Sequence, residues 1–582
     1  YTKDTSDNPS CCFIHVLKKR VNINLVILYS PPPDLSNIWW RFFRLFSFLF
    51  LKHLSNLKIT SSHHTRIMIH KIKTYTINGL IGNEITIEIG TSKSLPTIEV
   101  IGLPDAIIRE SKERIRVALR NSGIEIPNRK FILNLSPSDI RKTGTSFDLP
   151  MSVALLWSIM EDKATNVSLL ENGLFFGELG LDGQIKRIDG LLPMVIAAKK
   201  AGYMDFIVPS ENLYELEYIE GIRLYPVAHF VELVEYFCNN WELKLIQDHK
   251  SLQHILESYE REHNFAHIKG HSLAKRAMTI AASGLHNILL VGAPGSGKTL
   301  LAKALQSILP PLQPSEILET SQIYSVIGKL NKDMPLIIHR PFRSIHHTAS
   351  KISIIGGGTT LRPWEVSLSH RWILFLDELT EFPRETLEVL RQPIEDHIAT
   401  ISRVSGTVSY PANFMLVGAM NPCKCGYYKD REKNCICSMM DIKKYQSKIS
   451  WPLLDRIDMI LEIPRENIDV VLHEHNSESS EDLSEQVLKA RNIQIKRYEG
   501  TNITNNAQLS AKNIKTYIQL DLEAEEFLKS SSRKLVLSTR VVHRILKLSR
   551  TIADLHACEK ISIQHIAEAF QYRNKTMFME NE

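Results

Sequence analysis

The apolar positions of the chain follow different rhythms in different regions. From residue 71, short runs such as ITIEI (85–89), TIEVIGL (97–103) and FILNLS (131–136) read as strands bounded by turn residues. Between the last two, residues 105–121 put Ile108, Ile115 and Leu119 on one helical face, and Gly123 ends that helix. A strand and an Asp182-Gly183 turn after Gly173, a helix near residues 195–201 and the strand FIVP (206–209) complete an α+β pattern that runs to about Cys238. From residue 267 the runs become unbroken: NILLVG (287–292), WILFLDE (372–378), FMLVGAM (414–420) and MILEIP (459–464). Strands apolar on both faces and separated by helical stretches predict a parallel α/β sheet. Residues 477–498 and 522–572 carry amphipathic helical spacing and predict a small all-α unit, while residues 241–266, polar and rich in His and Glu, read as a linker.

Composition changes this picture little. Apolar residues make up 43% and charged residues 23% of the chain, with a net charge of +6, which permits nucleic-acid binding without indicating it. A chain of 582 residues predicts several domains: an atypical extension over 1–67, an α+β domain over 68–240, the linker 241–266, the α/β domain over 267–475 and a helical domain over 476–582. The extension holds the aromatic run IWWRFFRLFSFLFL (38–51), which is too short for a membrane span, is interrupted by Arg41 and Arg44, and precedes no convincing cleavage site. Met68 is read as the natural start and the extension as an artefact, with an amphipathic surface anchor as the other reading. No membrane partner and a cytoplasmic location are expected.

The segment GAPGSGKT, comprising Gly292, Ala293, Pro294, Gly295, Ser296, Gly297, Lys298 and Thr299, follows an apolar strand and opens a helix. That is the setting in which a G-x-x-x-x-G-K-[ST] loop cradles a triphosphate. Its backbone N–H groups face inward, Lys298 neutralises the β- and γ-phosphates and Thr299 offers its hydroxyl to Mg²⁺. The strand ILFL ends in Asp377, suited to Mg²⁺, and Glu378, suited to polarising a water. A third strand delivers Asn421, which either orients the water or γ-phosphate or simply forms a turn before Pro422. ATP and Mg²⁺ are the expected cofactors. Cys423, Cys425, Cys435 and Cys437 form two C-x-C pairs, four of the eight cysteines. They suit a structural Zn²⁺ or are four ordinary reduced thiols, and the pattern leaves both readings open.

Several stretches together carry a family resemblance: IEVIGLPDAIIRESKERIRVAL, FILNLSPSDIRKTGTSFDLP, RPFRSIHHTAS, LFLDELTEF, AMNPCKCGYY, LLDRID and RILKLSRTIADL. From Met68 onward the chain resembles the ComM family of magnesium-chelatase-like AAA+ ATPases. The resemblance implies an AAA+ P-loop domain with an N-terminal domain like that of Lon protease and a C-terminal helical lid. It also implies a homo-oligomeric ring, commonly a hexamer, with Arg456 as a finger reaching the neighbour's ATP and Arg540 as the lid arginine, Arg544 being a second candidate. By the same resemblance the partner is single-stranded or branched DNA and the activity a branch-migration helicase of recombination or natural transformation. Residues 340–351 and the hairpin around Arg403 are the candidate DNA loops. A chelatase-type ATPase that remodels a protein partner is the alternative. An ATP-dependent Ser-Lys protease is disfavoured, because Ser146 falls at the serine position but Met194 occupies that of the lysine.

Trp364, Trp372 and Trp451 stand where the family pattern has glycine. They are read as UGA codons that encode glycine in the source, a reading that also accounts for Trp39 and Trp40; mass spectrometry of the native protein decides it.

Overall fold

The computed structural model describes residues 69–573 except 161–163, 240, 253–262, 341, 358–360, 404–405, 431 and 467–477. The extension therefore lies outside the described residues. The first strands are β1 (His70–Asn78), β2 (Ile81–Ser92), β3 (Thr97–Ile101), β4 (Lys130–Ser136), β5 (Leu174–Phe175), the short antiparallel pair β6 (Glu178–Leu179) and β7 (Ile185–Lys186), β8 (Asp205–Pro209) and β9 (Arg223–Val227). Among the described residues they form a mixed sheet in the order β3-β4-β2-β1-β5-β8-β9, with β6 and β7 apart. Helix α1 (Ala106–Asn121) starts where the Asp105 carboxylate accepts from the Ile108 N–H at 2.8 Å. It buries Ile108, Ile115 and Leu119 against α2 (Asp148–Met160) and the sheet. Helix α3 (Leu191–Lys200) contributes to a separate core.

The second sheet is parallel throughout. Its strands are β10 (Ile288–Gly292), β11 (Phe342–Ile345), β12 (Ile373–Leu376), β15 (Met415–Met420) and β16 (Met459–Ile463), in the order β11-β12-β15-β10-β16. The antiparallel ribbon β13 (Ile398–Arg403) and β14 (Gly406–Pro411) stands apart from it. Nearly every residue of β10, β12, β15 and β16 is buried, the reason their runs are unbroken. The helices used below are α4 (Ser272–Gly284), α5 (Lys298–Ile308), α6 (Pro314–Val326), α7 (Met439–Gln446), α8 (Ser480–Arg497), α9 (Leu522–Lys534), α10 (Thr539–Leu555) and α11 (Ile563–Gln571). One core joins α4, α5, β10 and β16 to α8, α10 and α11. The predicted helical stretch 522–572 divides into three helices around Val536 and Ala557, both in the left-handed region.

Two details depart from the sequence reading. The first half of the expected linker is not free: Ile246 exchanges backbone hydrogen bonds with Leu224 at 3.0 and 2.9 Å, capping the open edge of β9. The two sheets also share a core, in which Leu191, Leu192 and Met194 of α3 pack with Ile323 and Tyr324 of α6 and with Trp372. Glu215 is buried at this junction, accepting from Asn212 at 2.6 Å and from Ser325 of α6 at 2.7 Å. Among the described residues, no helix is long and apolar enough to cross a membrane.

Candidate nucleotide site

Because the second sheet is parallel, its strands deliver their following loops to one edge. Strand β15 lies between β10 and β12, so Asn421 emerges between the glycine loop and the Asp377-Glu378 pair. In the loop, Gly295 and Gly297 have φ of 77° and 80°, a region that side chains strain to adopt. A Cβ on Gly292 would fall 2.4 Å from the Ile463 carbonyl oxygen. The loop curls into α5, so its N–H groups and the helix N-terminus face the same space. Lys298 Nζ donates to the carbonyls of Gly292 and Ala293, both at 2.9 Å, and to Asn421 Oδ1 at 3.3 Å. Thr299 Oγ1 donates to Asp377 Oδ2 at 3.0 Å. Burial pushes the Lys298 ammonium below its ordinary range, with the Asp377 and Glu378 carboxylates pulling the other way. The Ser296 hydroxyl is buried and has no hydrogen-bond partner. An ammonium resting on loop carbonyls, an orphaned hydroxyl and the N-terminus of α5 fit a polyphosphate, and the oxygens of Thr299 and Asp377 fit a hard divalent cation.

Glu378 takes a left-handed backbone (φ 49°), and its carboxylate is 57% exposed. His347 Nδ1 lies 3.3 Å from Glu378 Oε2, and the ring of His346 stands 4.1 Å from that of His347. This contact was missed in the sequence. His347 follows β11, next to β12, and only strand order reveals the pair.

Arg456 lies at the other end of the sheet. Met459 pairs with Ile288 and Ile463 with Gly292, so Arg456 precedes the first residues of these strands while the glycine loop follows the last. Five residues of strand put roughly 13 Å or more between the two edges. The Arg456 guanidinium donates to the Pro452 carbonyl at 2.8 Å and pairs with Glu395. It lines a cleft of about 470 Å³ with Glu388, Arg391, Gln392 and Glu395. Arg544 donates to the Arg456 carbonyl at 3.1 Å and pairs with buried Asp458. Burial opposes that charge, but Arg544 and His286 hold the Asp458 carboxyl far below the usual range. Arg544 is thereby committed to the fold. Arg540, one turn earlier on the same face of α10, is exposed.

The four cysteines converge. The Sγ atoms of Cys423 and Cys425 are 3.3 Å apart, Cys423 and Cys435 3.7 Å, and Cys425 and Cys435 3.5 Å; with Cys437 all four lie within 4.8 Å of one another. A tetrahedral Zn²⁺ with bonds of about 2.3 Å needs sulfur–sulfur edges of about 3.8 Å, so the set fits that ion. At Cys425 burial is outweighed by the N–H groups of Tyr427 and Ile436 and by neighbouring thiols, and its pKa comes down to about 6.

Comparison with known proteins matches three successive family descriptions: subunit ChlI of Mg-chelatase over residues 87–212, magnesium chelatase subunit ChlI over 264–471 and its C-terminal part over 477–573. The competence protein ComM of Haemophilus influenzae is 36% identical over 84% of this chain and 94% of its own length. The YifB protein of Salmonella typhimurium is 36% identical over 86% of this chain and 96% of its own. The chain belongs to the ComM family of magnesium-chelatase-like proteins. Membership supports an ATPase of the AAA+ class. A mitochondrial Lon protease homolog of Schizosaccharomyces pombe is 27% identical over 29% of this chain and 17% of its own length.

Other expectations for this ComM-family chain fare differently. Of the cations in 340–351, Arg340 is 10% exposed and pairs with Glu316 and Arg343 pairs with Glu365, so these two side chains hold the protein together rather than stand free for phosphates; Lys351 makes an exposed surface pair with Glu385. Arg403, at the end of the β13–β14 ribbon, is exposed. Ser146 is half-buried before α2, and Met194 is buried among apolar side chains; Lys142, four residues before the serine, gives its ammonium to the Pro137 carbonyl. None of Trp364, Trp372 and Trp451 has a left-handed backbone. Buried Trp372 leaves its indole N–H without an acceptor.

Proposed function

We propose that the chain is a subunit of a homo-oligomeric, ATP-driven ring acting on single-stranded or branched DNA. The meeting of Lys298, Thr299, Asp377, Glu378 and Asn421 at one sheet edge carries this reading. In it, the backbone N–H groups of Gly295, Gly297, Lys298 and Thr299 and the Lys298 ammonium hold the phosphates. Thr299 and Asp377 hold Mg²⁺, which when bound neutralises charge on the β- and γ-phosphates. Glu378 polarises the attacking water, and Asn421 orients it. His347 holds the Glu378 carboxylate until water and nucleotide are in place. Arg456 and Arg540, too far from their own glycine loop, serve the nucleotide of an adjacent copy, where a planar guanidinium spreads charge over the transferring phosphoryl group. A hexamer closes such a head-to-tail arrangement. Zinc occupies the four thiolates.

DNA meets the β13–β14 ribbon. Ile401, Val408 and Tyr410 turn inward onto Leu80, Ile355 and Leu361, while Thr400, Ser402, Thr407 and Ser409 face outward; Arg403, exposed near the end of the ribbon, shares the Ile401 face, with its guanidinium beside Gly357. A hydroxyl-lined ribbon with a cation near its tip suits contact with a phosphate backbone. The name of the H. influenzae relative, a competence protein, agrees with a role in DNA uptake and recombination. ATPase rates with and without single-stranded and four-way-junction DNA test this. Stimulation is expected; a DNA-indifferent rate overturns the DNA partner in favour of a protein remodeller.

A further inference from the structure

The segment after Asn421 has little to fold around. Among the described residues of 422–440, Pro422, Cys423 and Gly426 are buried, whereas Ile436 is 88% and Met440 84% exposed. A stretch without an apolar core keeps one shape when something crosslinks it, and four convergent thiols supply that crosslink.

Gly426 is buried for a specific reason. It lies against the ring of Pro294 in the glycine loop: a Cβ there would fall 2.5 Å from Pro294 Cδ and 2.8 Å from Cγ, and its φ of 87° favours glycine as well. Arg465, just beyond β16, ties the same two segments. Its Nη2 donates to the Pro294 carbonyl at 3.3 Å, while its guanidinium lies 5.3 Å from the Tyr427 ring and 3.8 and 3.7 Å from the Asp430 and Glu432 carboxylates. At the start of the segment, Gln446 donates to the Pro422 carbonyl at 2.9 Å, one residue after the Asn421 that accepts from Lys298. The cysteine knuckle thus touches the glycine loop directly at Pro294, through Arg465, and through Asn421.

We infer that the metal-loaded knuckle is the outer wall of the phosphate loop, so that filling the four-thiolate site sets the affinity for nucleotide. The inference rests on the zinc and nucleotide readings above. A bound ion ties Cys423 and Cys425 to Cys435 and Cys437 and fixes the turn at Gly426 between them. That turn backs Pro294 and keeps the loop amides aimed inward. Without the ion the wall slackens and the amides must be ordered by the nucleotide itself, which appears as weaker binding.

The test uses the full chain. Zinc content is measured, zinc is displaced with a mercurial reagent and then restored with thiol reductant and zinc, and the affinity for a fluorescent non-hydrolysable ATP analogue with Mg²⁺ is read at each stage. About one zinc per chain is expected, with affinity falling about tenfold on its release and returning on refilling. Arg465→Ala is expected to keep its zinc and its melting temperature yet to bind the analogue about tenfold more weakly, the loss of one charge-assisted hydrogen bond. If the zinc-free chain melts at the temperature of measurement, Arg465→Ala alone decides. Zinc bound but affinity unchanged in Arg465→Ala and on zinc release overturns the wall while leaving the zinc site standing. A reduced chain that takes up no zinc overturns the inference at its base. No binding of the analogue by the zinc-loaded chain removes the nucleotide reading of the loop, and the inference with it.

Discussion

The two edges of the parallel sheet are built differently. At the edge where the strands end, Lys298 already touches Asn421 and Thr299 already touches Asp377, so that face is assembled within one chain. At the edge where the strands begin, Arg456 rests on Glu395 beside an open cleft and Arg540 is exposed, with no glycine loop near either. Parallel strands force this separation, since the loops after them and the loops before them cannot meet in one copy. In the proposed ring, a site that needs both a phosphate cradle and a transition-state guanidinium is completed by stacking one copy's starting edge on the next copy's ending edge.

That contrast can be broken in stages. The largest effect belongs to Lys298→Ala: turnover is expected to vanish and Mg²⁺-nucleotide binding to weaken, and an unchanged steady-state rate would remove the phosphate-loop assignment. Arg456→Ala comes next. Its kcat is expected to fall by about 10³-fold with nucleotide affinity nearly intact, because the finger acts on the transition state of another copy's substrate. A rise in KM with unchanged kcat would instead place Arg456 in ordinary binding. Arg540→Ala is expected to cost less, about 10- to 100-fold in kcat, as a second cation at the same face.

The smallest effect falls on neither edge. Burial pushes Glu215 up to about 7 from an ordinary 4.5, against the hydrogen bonds from Ser325 and Asn212. Below its unfolded pKa this residue is protonated in both states and carries no ionisation cost. As pH rises toward 7 the unfolded chain gives up the proton first, so stability declines by at most about 3 kcal/mol. Glu215→Gln is expected to raise the melting temperature at pH 8, to leave it unchanged at pH 4.5 and to spare turnover. Parallel melting profiles for the two proteins across that range would refute the assignment.

What could be read from the residues alone was what is local. The glycine loop sits between its strand and helix, and Asp377-Glu378 closes an apolar run, so each carries its context within a few positions. The four cysteines were visible as a pattern, though their convergence was not. What escaped was set by topology: the His347–Glu378 contact requires β11 beside β12, and the Gly426–Pro294 contact joins segments more than a hundred residues apart. Arg340 and Arg343 looked like free cations because their partners, Glu316 and Glu365, lie on other elements. Ile246 looked like linker because the strand edge it covers belongs to a different part of the sequence.

Mixing subunits tests the divided site most directly. Lys298→Ala and Arg456→Ala chains are each expected to be nearly inactive alone, but in a mixed ring the intact loop of the second meets the intact arginine of the first. Equal amounts, unfolded or dissociated and reassembled together, are expected to regain about a quarter of the wild-type ATPase rate, the fraction of interfaces that pair two sound halves. A mixture no more active than its separate components would contradict a site shared between copies.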